Sequence, residues 1–409
     1  MVTKLIIIMI VLLSTAYRIV LGIVEMRSAN NPTPANLADV YDAETYANWK
    51  RYSREKSRLS LIFICIGAVI SLVLLATNAY AWAASLFPVE NWFMQLFSVI
   101  VLELLVNLIP GIVRSYLFNM VIEQKYGFNR TTIKTFIFDQ IRSNALELFL
   151  SLGLAMLLLG IHLWLGDWMI VAFAAAMFLF SLFISFMYPI FSRIGNKFTP
   201  LEDGELKDRL MELLTKHGYR VKAIEVMDAS RRTTKLNAYF TGFGKMKTIV
   251  LYDNLVNAMT PDEICAVFAH ELGHGLHKDV LKGQILNIGN LLLMGALVWI
   301  AVREPILHAS FGFSEVNYGF AYILVGCVLG LVQPLTGMIM NARSRAAEYK
   351  ADAQAVKEGY GPAMITALKK LARENFAHLA PARLDVLMDY SHPPLAERIA
   401  AVEKQLEKL

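Results

Sequence analysis

Residues 260–280 read TPDEICAVFAHELGHGLHKDV. Thr260 and Glu263 are spaced as a capping box, with Pro261 at the first helical position, so a helix begins here. Val267, Phe268 and Ala269 bury one side of it. Asp262, Glu263, Lys278 and Asp279 bound a run of fewer than 15 residues. A bilayer crossing takes about 20 apolar residues. The helix, ending near His277, is therefore expected outside the membrane. It contains His270-Glu271-Leu272-Gly273-His274, an H-E-x-x-H pattern. Two imidazoles four residues apart share one helical face. They can hold one tetrahedral zinc at about 2.0–2.1 Å, and Glu271 can reach a reacting water as general base. The alternative is a pair of histidines on a solvated face.

Working outward, the 409-residue chain is 56% apolar and only 18% charged. Ordinary soluble domains sit nearer 45–50% and roughly 25%. Mean hydropathy is +0.47. These values exclude disorder, collagen-like repeats, coiled-coil rods and a disulfide scaffold. They point to a membrane protein with a soluble part that gathers the 34 acids and 39 bases. The net charge of +5 is small, and the bases are scattered without interleaved aromatics, so no nucleic-acid partner is expected. Cys65, Cys265 and Cys327 lie far apart with no CxxC, which leaves neither a disulfide framework nor a thiolate zinc site.

Seven stretches are long enough to cross a bilayer: 4–25, 59–86, 92–118, 144–165, 167–194, 281–303 and 318–341. The first could also be a signal peptide, although no small-x-small cleavage site follows it. Loops 26–58 and 119–143 are rich in Lys and Arg, and the alternate loops hold almost none. That places the N-terminus outside and 195–280 and 342–409 in the cytoplasm; Lys4 argues the other way. The resulting organisation is 1–194, five transmembrane helices with cytoplasmic loops; 195–280, a soluble catalytic part; 281–341, two further spans; and 342–409, a cytoplasmic helical part. Within 195–280, a helix over 203–217 and strands over 221–227, 234–240 and 248–252 precede the capped helix. Two more helices are expected at 362–375 and 394–408.

Glu103, Asn107, Pro110 and Arg114 share one face of the third span. Glu147 opens the fourth, Asn287 and Asn290 share a side of the sixth, and Gln333-Pro334 interrupts the seventh. Such groups at membrane depth either bond between helices or line a water-filled cavity.

A catalytic zinc needs a third protein ligand and one open position. The long metzincin pattern fails, because His277 and Val280 stand where Gly and His should be. A better candidate lies in Ser344-Arg345-Ala346-Ala347-Glu348-Tyr349-Lys350-Ala351-Asp352. Glu348 and Asp352 are one turn apart; the first can bind metal while the second holds the free nitrogen of a ligand histidine. Alone, such a pair would usually be a solvated face.

The stretch 267–282 together with Ser344 to Asp352 resembles the integral-membrane zinc metalloproteases of the type I CAAX prenyl protease family. Val121-Ile122-Glu123, Tyr126-Gly127-Phe128-Asn129-Arg130-Thr131-Thr132, Leu236-Asn237-Ala238-Tyr239, Ser391-His392-Pro393-Pro394 and Arg398-Ile399 are similar to the same family and fall in its order. The resemblance implies a mainly α membrane protein, with seven transmembrane helices enclosing a chamber and a gluzincin-like α/β zinc protease domain on the cytoplasmic side. It also implies one zinc ion held by His270, His274 and Glu348, with Glu271 as base and Asp352 behind a ligand. Asn237 would lie on the strand that pairs with substrate. His392 and Arg398 would sit near the scissile carbonyl or the substrate carboxylate. The implied activity is hydrolysis of peptide bonds in peptides or membrane proteins, with CAAX-type C-terminal processing. The implied partners are a peptide or protein substrate, a prenylated C-terminus and membrane lipid. The tail, Glu403 to Leu409, holds neither a dilysine nor a KDEL signal, which favours a prokaryotic plasma membrane over the endoplasmic reticulum.

Two other readings compete. A zinc-stabilised scaffold or receptor would not need Glu271 beside its ligands. An intramembrane protease would place H-E-x-x-H in a spanning helix, which Thr260 and the flanking charges oppose.

Overall fold

The computed structural model describes residues 2–193, 195–241 and 246–408. Six stretches are helices long and apolar enough to cross a membrane: Val2–Ser28, Ala43–Ala76, Trp92–Glu123, Ile133–Ile184, Asp279–Arg303 and Tyr318–Lys357. The chain is a mainly helical, multi-pass integral membrane protein. Its membrane part comprises α1 (Val2–Ser28), α2 (Ala43–Ala76), the short α3 (Ala79–Ser85), α4 (Trp92–Tyr116), α5 (Ile133–Leu165) and α6 (Met169–Phe191). The 52-residue stretch Ile133–Ile184 folds as α5 and most of α6, parted by a tight turn at Gly166–Trp168. Gly166 has φ +52°, a conformation that side chains with a Cβ rarely adopt.

Large apolar side chains cover the outside of these helices, with Phe149 72% and Ile109 71% exposed. Only a lipid solvent makes such a surface stable. Trp82, Trp92, Trp164 and Trp168, all exposed, cluster at the helix ends around the 86–91 and 166–168 turns. That is the position of an interfacial aromatic belt.

Several boundaries differ from the sequence reading. The expected loops 26–58 and 119–143 are largely helical, because α2 begins at Ala43 under an Asp42 cap and α5 at Ile133 under a Thr132 cap. The expected 59–86 span breaks at Asn78, which adopts φ +56°.

A cavity of about 1090 Å³ lies between the membrane helices, lined by α1 to α6 and by two later helices, α10 (Asp279–Arg303) and α12 (Tyr318–Lys357). Glu103, Asn107, Pro110 and Arg114 all line it, as do Arg18 and Glu147. Two of these groups also bond to neighbours. Tyr80 donates to Glu103 Oε2 at 2.5 Å, and Asn107 donates to Glu103 Oε1 at 2.9 Å. Asn287 and Asn290 do not line it; they sit 3.4 Å from each other on one helix.

The part outside the membrane begins with β1 (Phe198–Pro200), α7 (Glu205–Lys216) and β2 (Arg220–Met227). Next come β3 (Ala238–Thr241), β4 (Met246–Tyr252), α8 (Asp253–Ala258) and α9 (Pro261–Leu276). Strand order is β1-β2-β4-β3. β2 and β4 run parallel, β1 is antiparallel to β2, and β3 is antiparallel to β4 at the edge. Leu210, Leu214, Ile224, Ile249, Leu251, Ile264, Phe268 and Leu272 form the core between α7, α9 and the sheet.

The chain re-enters the membrane through α10 (Asp279–Arg303), turns at α11 (Pro305–Ala309) and returns in α12 (Tyr318–Lys357). α12 is continuous through Pro334, where an interruption was expected. Membrane helices tolerate an internal proline because neighbouring groups re-satisfy the freed carbonyl. α13 (Gly361–Glu374), α14 (Arg383–Met388) and α15 (Leu395–Leu406) complete the fold. Ala29, Leu37 and Trp49, from the expected 26–58 loop, share a core with Ala266, Ala269, Leu368 and Ile399. The α1–α2 connection is thus built into the non-membrane part.

Candidate metal centre

α9 starts where local chemistry says it must. Thr260 accepts a hydrogen bond from the Glu263 N–H at 3.3 Å, and the Glu263 carboxylate accepts from the Thr260 N–H at 2.8 Å. One side of α9 packs on the sheet core through Ile264, Phe268 and Leu272. Another packs through Ala266 and Ala269 against α13 and α15. A third meets α12 at Gly273, where an added Cβ would lie 2.9 Å from Ala351 Cα and 3.0 Å from Gln354 Cβ. The glycine lets two backbones approach, which is what brings the α9 histidines within reach of the α12 carboxylate. Gly273→Ala should force α9 and α12 apart and cost about 1–3 kcal/mol of stability. A lowered denaturation midpoint with faster metal loss to a chelator would show it; an unchanged protein would mean the crossing has slack.

At that crossing His270 Nε2 lies 3.6 Å from Glu348 Oε2, and His274 Nε2 lies 3.2 Å from Glu348 Oε1. One ligand atom from each of the three residues falls within 4.8 Å of the others. With zinc bonds of about 2.0–2.1 Å, neighbouring corners of a tetrahedron stand about 3.3–3.4 Å apart. The imidazole rings are nearly perpendicular, at 89°. Their outer nitrogens are engaged elsewhere. Asp352 Oδ1 accepts from His270 Nδ1 at 2.8 Å, and Asp279 Oδ2 accepts from His274 Nδ1 at 3.0 Å. Those bonds fix the tautomers so that both Nε2 lone pairs face inward. Glu348 Oε2 is buried without a hydrogen-bond partner, Arg398 Nη1 standing 3.2 Å away outside hydrogen-bond geometry. An orphaned buried carboxylate oxygen beside two inward lone pairs fits a divalent cation.

The electrostatics point the same way. Burial opposes charging His274, but hydrogen bonds to Glu348 and Asp279 outweigh it and push the imidazole up to about 9. The same carboxylates would favour a divalent cation, which would take the place of that proton on Nε2.

Glu271 is half-buried, and among the described residues no hydrogen bond engages its carboxylate. Its charge is felt by both His274 and Arg398. His392 is 62% exposed in its side chain, with Nε2 3.5 Å from Glu348 Oε1, and the Ser391 hydroxyl lies 2.9 Å from its Nδ1. Arg398, expected beside the scissile carbonyl or a substrate carboxylate, is 9% exposed. Its Nε and Nη2 donate to the two oxygens of Asp352 at 2.9 and 2.6 Å. Burial opposes its charge, but those bonds hold the guanidinium ionised. Asn237 is exposed immediately before β3, and its carbonyl accepts from the Tyr252 N–H at 3.1 Å. His277 caps the C-terminus of α9, its N–H bonded to the Gly273 carbonyl.

Asp279 was not singled out in the sequence. Its signal was a carboxylate just past the end of a metal-ligand helix, where a change of direction at Lys278 (φ +54°) folds it back. The cavity between the membrane helices is lined by none of His270, Glu271, His274 or Glu348.

The chain is similar to known proteins along nearly its whole length. Residues 200–406 match the family described as Peptidase family M48. Residues 23–193 match the family described as CAAX prenyl protease N-terminal, five membrane helices. CAAX prenyl protease 1 of Saccharomyces cerevisiae is 33% identical over 410 residues, covering 92% of this chain and 89% of that protein. A CAAX prenyl protease 1 homolog of Arabidopsis thaliana is 31% identical over 387 residues, covering 92% and 91%. The crystal structure of S. mikatae Ste24p superposes with a TM-score of 0.90 at 29% identity, covering 98% of this chain and 99% of that one.

Proposed function

The chain belongs to peptidase family M48 and is a membrane zinc metalloendopeptidase, and we propose that His270, His274 and Glu348 hold its zinc while Glu271 moves the proton. One observation carries this reading: the Nε2 atoms of His270 and His274 stand 3.6 and 3.2 Å from the two oxygens of the Glu348 carboxylate, and each imidazole is held from behind by an acid. A structural zinc would be closed by four protein ligands and would need no base. Three protein ligands would leave one position open, and Glu271 is the neighbour of His270 on the same helix.

Zinc, when bound, supplies a Lewis acid that polarises a peptide carbonyl and makes water a competent nucleophile near neutral pH. Glu271 accepts the proton of the attacking water and delivers it to the departing amine. His392, its side chain exposed beside Glu348, donates to the carbonyl oxygen as charge builds there. Arg398 acts at one remove: by holding Asp352 it holds His270, and its charge offsets two buried carboxylates. We read it as a positioning residue, because its donors are directed into protein rather than towards substrate.

Substrate is a peptide or protein, and the edge at β3, beginning beyond Asn237, is the surface along which extended chain would pair. The relatives named above are CAAX prenyl proteases. We carry their substrate class to this chain as the reading to test: cleavage next to a prenylated cysteine near a C-terminus. We count seven crossings, taking α5 and α6 as a hairpin, since 52 residues is far more than one crossing of about 20 needs. A gluzincin-like part then lies on the cytoplasmic side and the N-terminus outside, as the basic loops 26–58 and 119–143 favour.

Incubation of purified protein with farnesylated and unmodified peptides, with product masses and bound zinc measured together, tests the proposal. Cleavage that tracks zinc content, stops with 1,10-phenanthroline and returns with added zinc is the expected result. Cleavage that persists after complete metal removal would reject the assignment.

A further inference from the structure

Among the described residues β3 is an outermost strand of four residues, and its lead-in, 233–237, has its main chain held by groups from elsewhere. Asn254 on α8 donates from Nδ2 to the Thr233 carbonyl at 2.7 Å and to that of Lys235 at 3.4 Å. Asn375, just past α13, grips Leu236 on both sides. Its Oδ1 accepts the Leu236 N–H at 2.8 Å and its Nδ2 donates to the Leu236 carbonyl at 3.1 Å. The Thr234 N–H donates to the Phe128 carbonyl at 3.2 Å, and its hydroxyl to the Gly127 carbonyl at 3.1 Å. The Lys235 ammonium lies 2.9 Å from Glu123 Oε2, while Glu123 Oε1 accepts from the Tyr52 hydroxyl at 2.5 Å. Glu123 is 6% exposed and ends the π-helical turn Leu117–Glu123 that follows α4. The Leu236 side chain itself is buried in the α7–α9–sheet core.

This is more restraint than a surface connection needs. Side chains along a strand alternate with period two, so a slip of one residue turns every side chain over, whereas a slip of two preserves the pattern. Among the described residues β3 pairs with β4 from Ala238 to Thr241, and the Asn237 carbonyl accepts from the Tyr252 N–H, so the clamp on 233–236 adjoins the start of the ladder. We propose that Asn375 is a positioning residue: with Asn254 and Glu123 it sets the register of the edge from Asn237 onward, and through that edge which substrate bond is presented for hydrolysis. The inference rests on the reading of β3 as the substrate-pairing edge. A clamp that only stabilises the fold would change how much protein is folded, not which bond is cut.

The test uses the full-length protein in lipid nanodiscs with one extended peptide, comparing wild type with Asn375→Ala and, should that variant not fold, with Asn254→Ala. kcat, KM, zinc content and product masses are read together. KM should rise about tenfold with kcat within about twofold and zinc retained, the pattern of lost ground-state and transition-state binding alike. A second product displaced by two residues should also appear. A single unaltered bond, whether at unchanged KM or with kcat falling alongside zinc, would overturn the proposal. So would failure of both variants to fold. A wild type that cuts its peptide beside an unaltered variant removes the clamp alone, whereas a wild type that cuts no peptide removes the proteolytic reading and the clamp with it.

Discussion

Glu271→Gln should leave zinc at one per chain and reduce peptide hydrolysis by about 10²–10⁴-fold. The substitution keeps shape and removes only the ability to take and return a proton. The proposed ligand atoms come from His270, His274 and Glu348, with Asp352 and Asp279 behind the imidazoles, so no group proposed to grip the metal is touched. Loss in kcat with metal retained assigns Glu271 to chemistry rather than binding. Turnover close to wild type would remove it from the mechanism, and loss of zinc together with activity would make it a ligand or a support for one.

His274→Ala should strip the metal altogether. Three protein atoms are the least that can hold a catalytic zinc with one position open. Two remaining atoms, one on each helix, cannot define a tetrahedral site. The affinity loss should exceed the 10–100-fold that follows removal of an outer partner, for which Asp279→Asn is the direct comparison. Metal analysis after dialysis against a weak chelator separates the cases: wild type full, Asp279→Asn partly depleted, His274→Ala empty. Full occupancy in His274→Ala would refute the ligand set.

What could be read from the sequence followed the range of the forces involved. The helix at Thr260 was legible to within a residue, because its capping box is a contact between residues three apart. The polar face of Glu103, Asn107, Pro110 and Arg114 was legible as a face, yet whether it bonded inward or met an open space depended on seven other helices. β3 was placed four residues too early, since Thr234 to Leu236 look like strand by composition but their backbone groups are taken by Asn254, Asn375 and the 127–128 main chain. The structure spends Arg398 on Asp352 and Glu348, contacts 46 and 50 positions away that no local pattern announces. Asp279 escaped for the opposite reason, being so near the motif that it looked like a boundary charge.

α12 crosses the membrane and, without a break, carries Glu348 to the centre. It follows α9 in the chain, so Glu348 leaves the ribosome after both histidines. A nascent chain that has delivered His270 and His274 but not yet α12 therefore holds an incomplete ligand set and no proteolytic power. On the proposed ligand set, the two histidines alone would leave a partly made chain inert towards the polypeptides it meets during insertion.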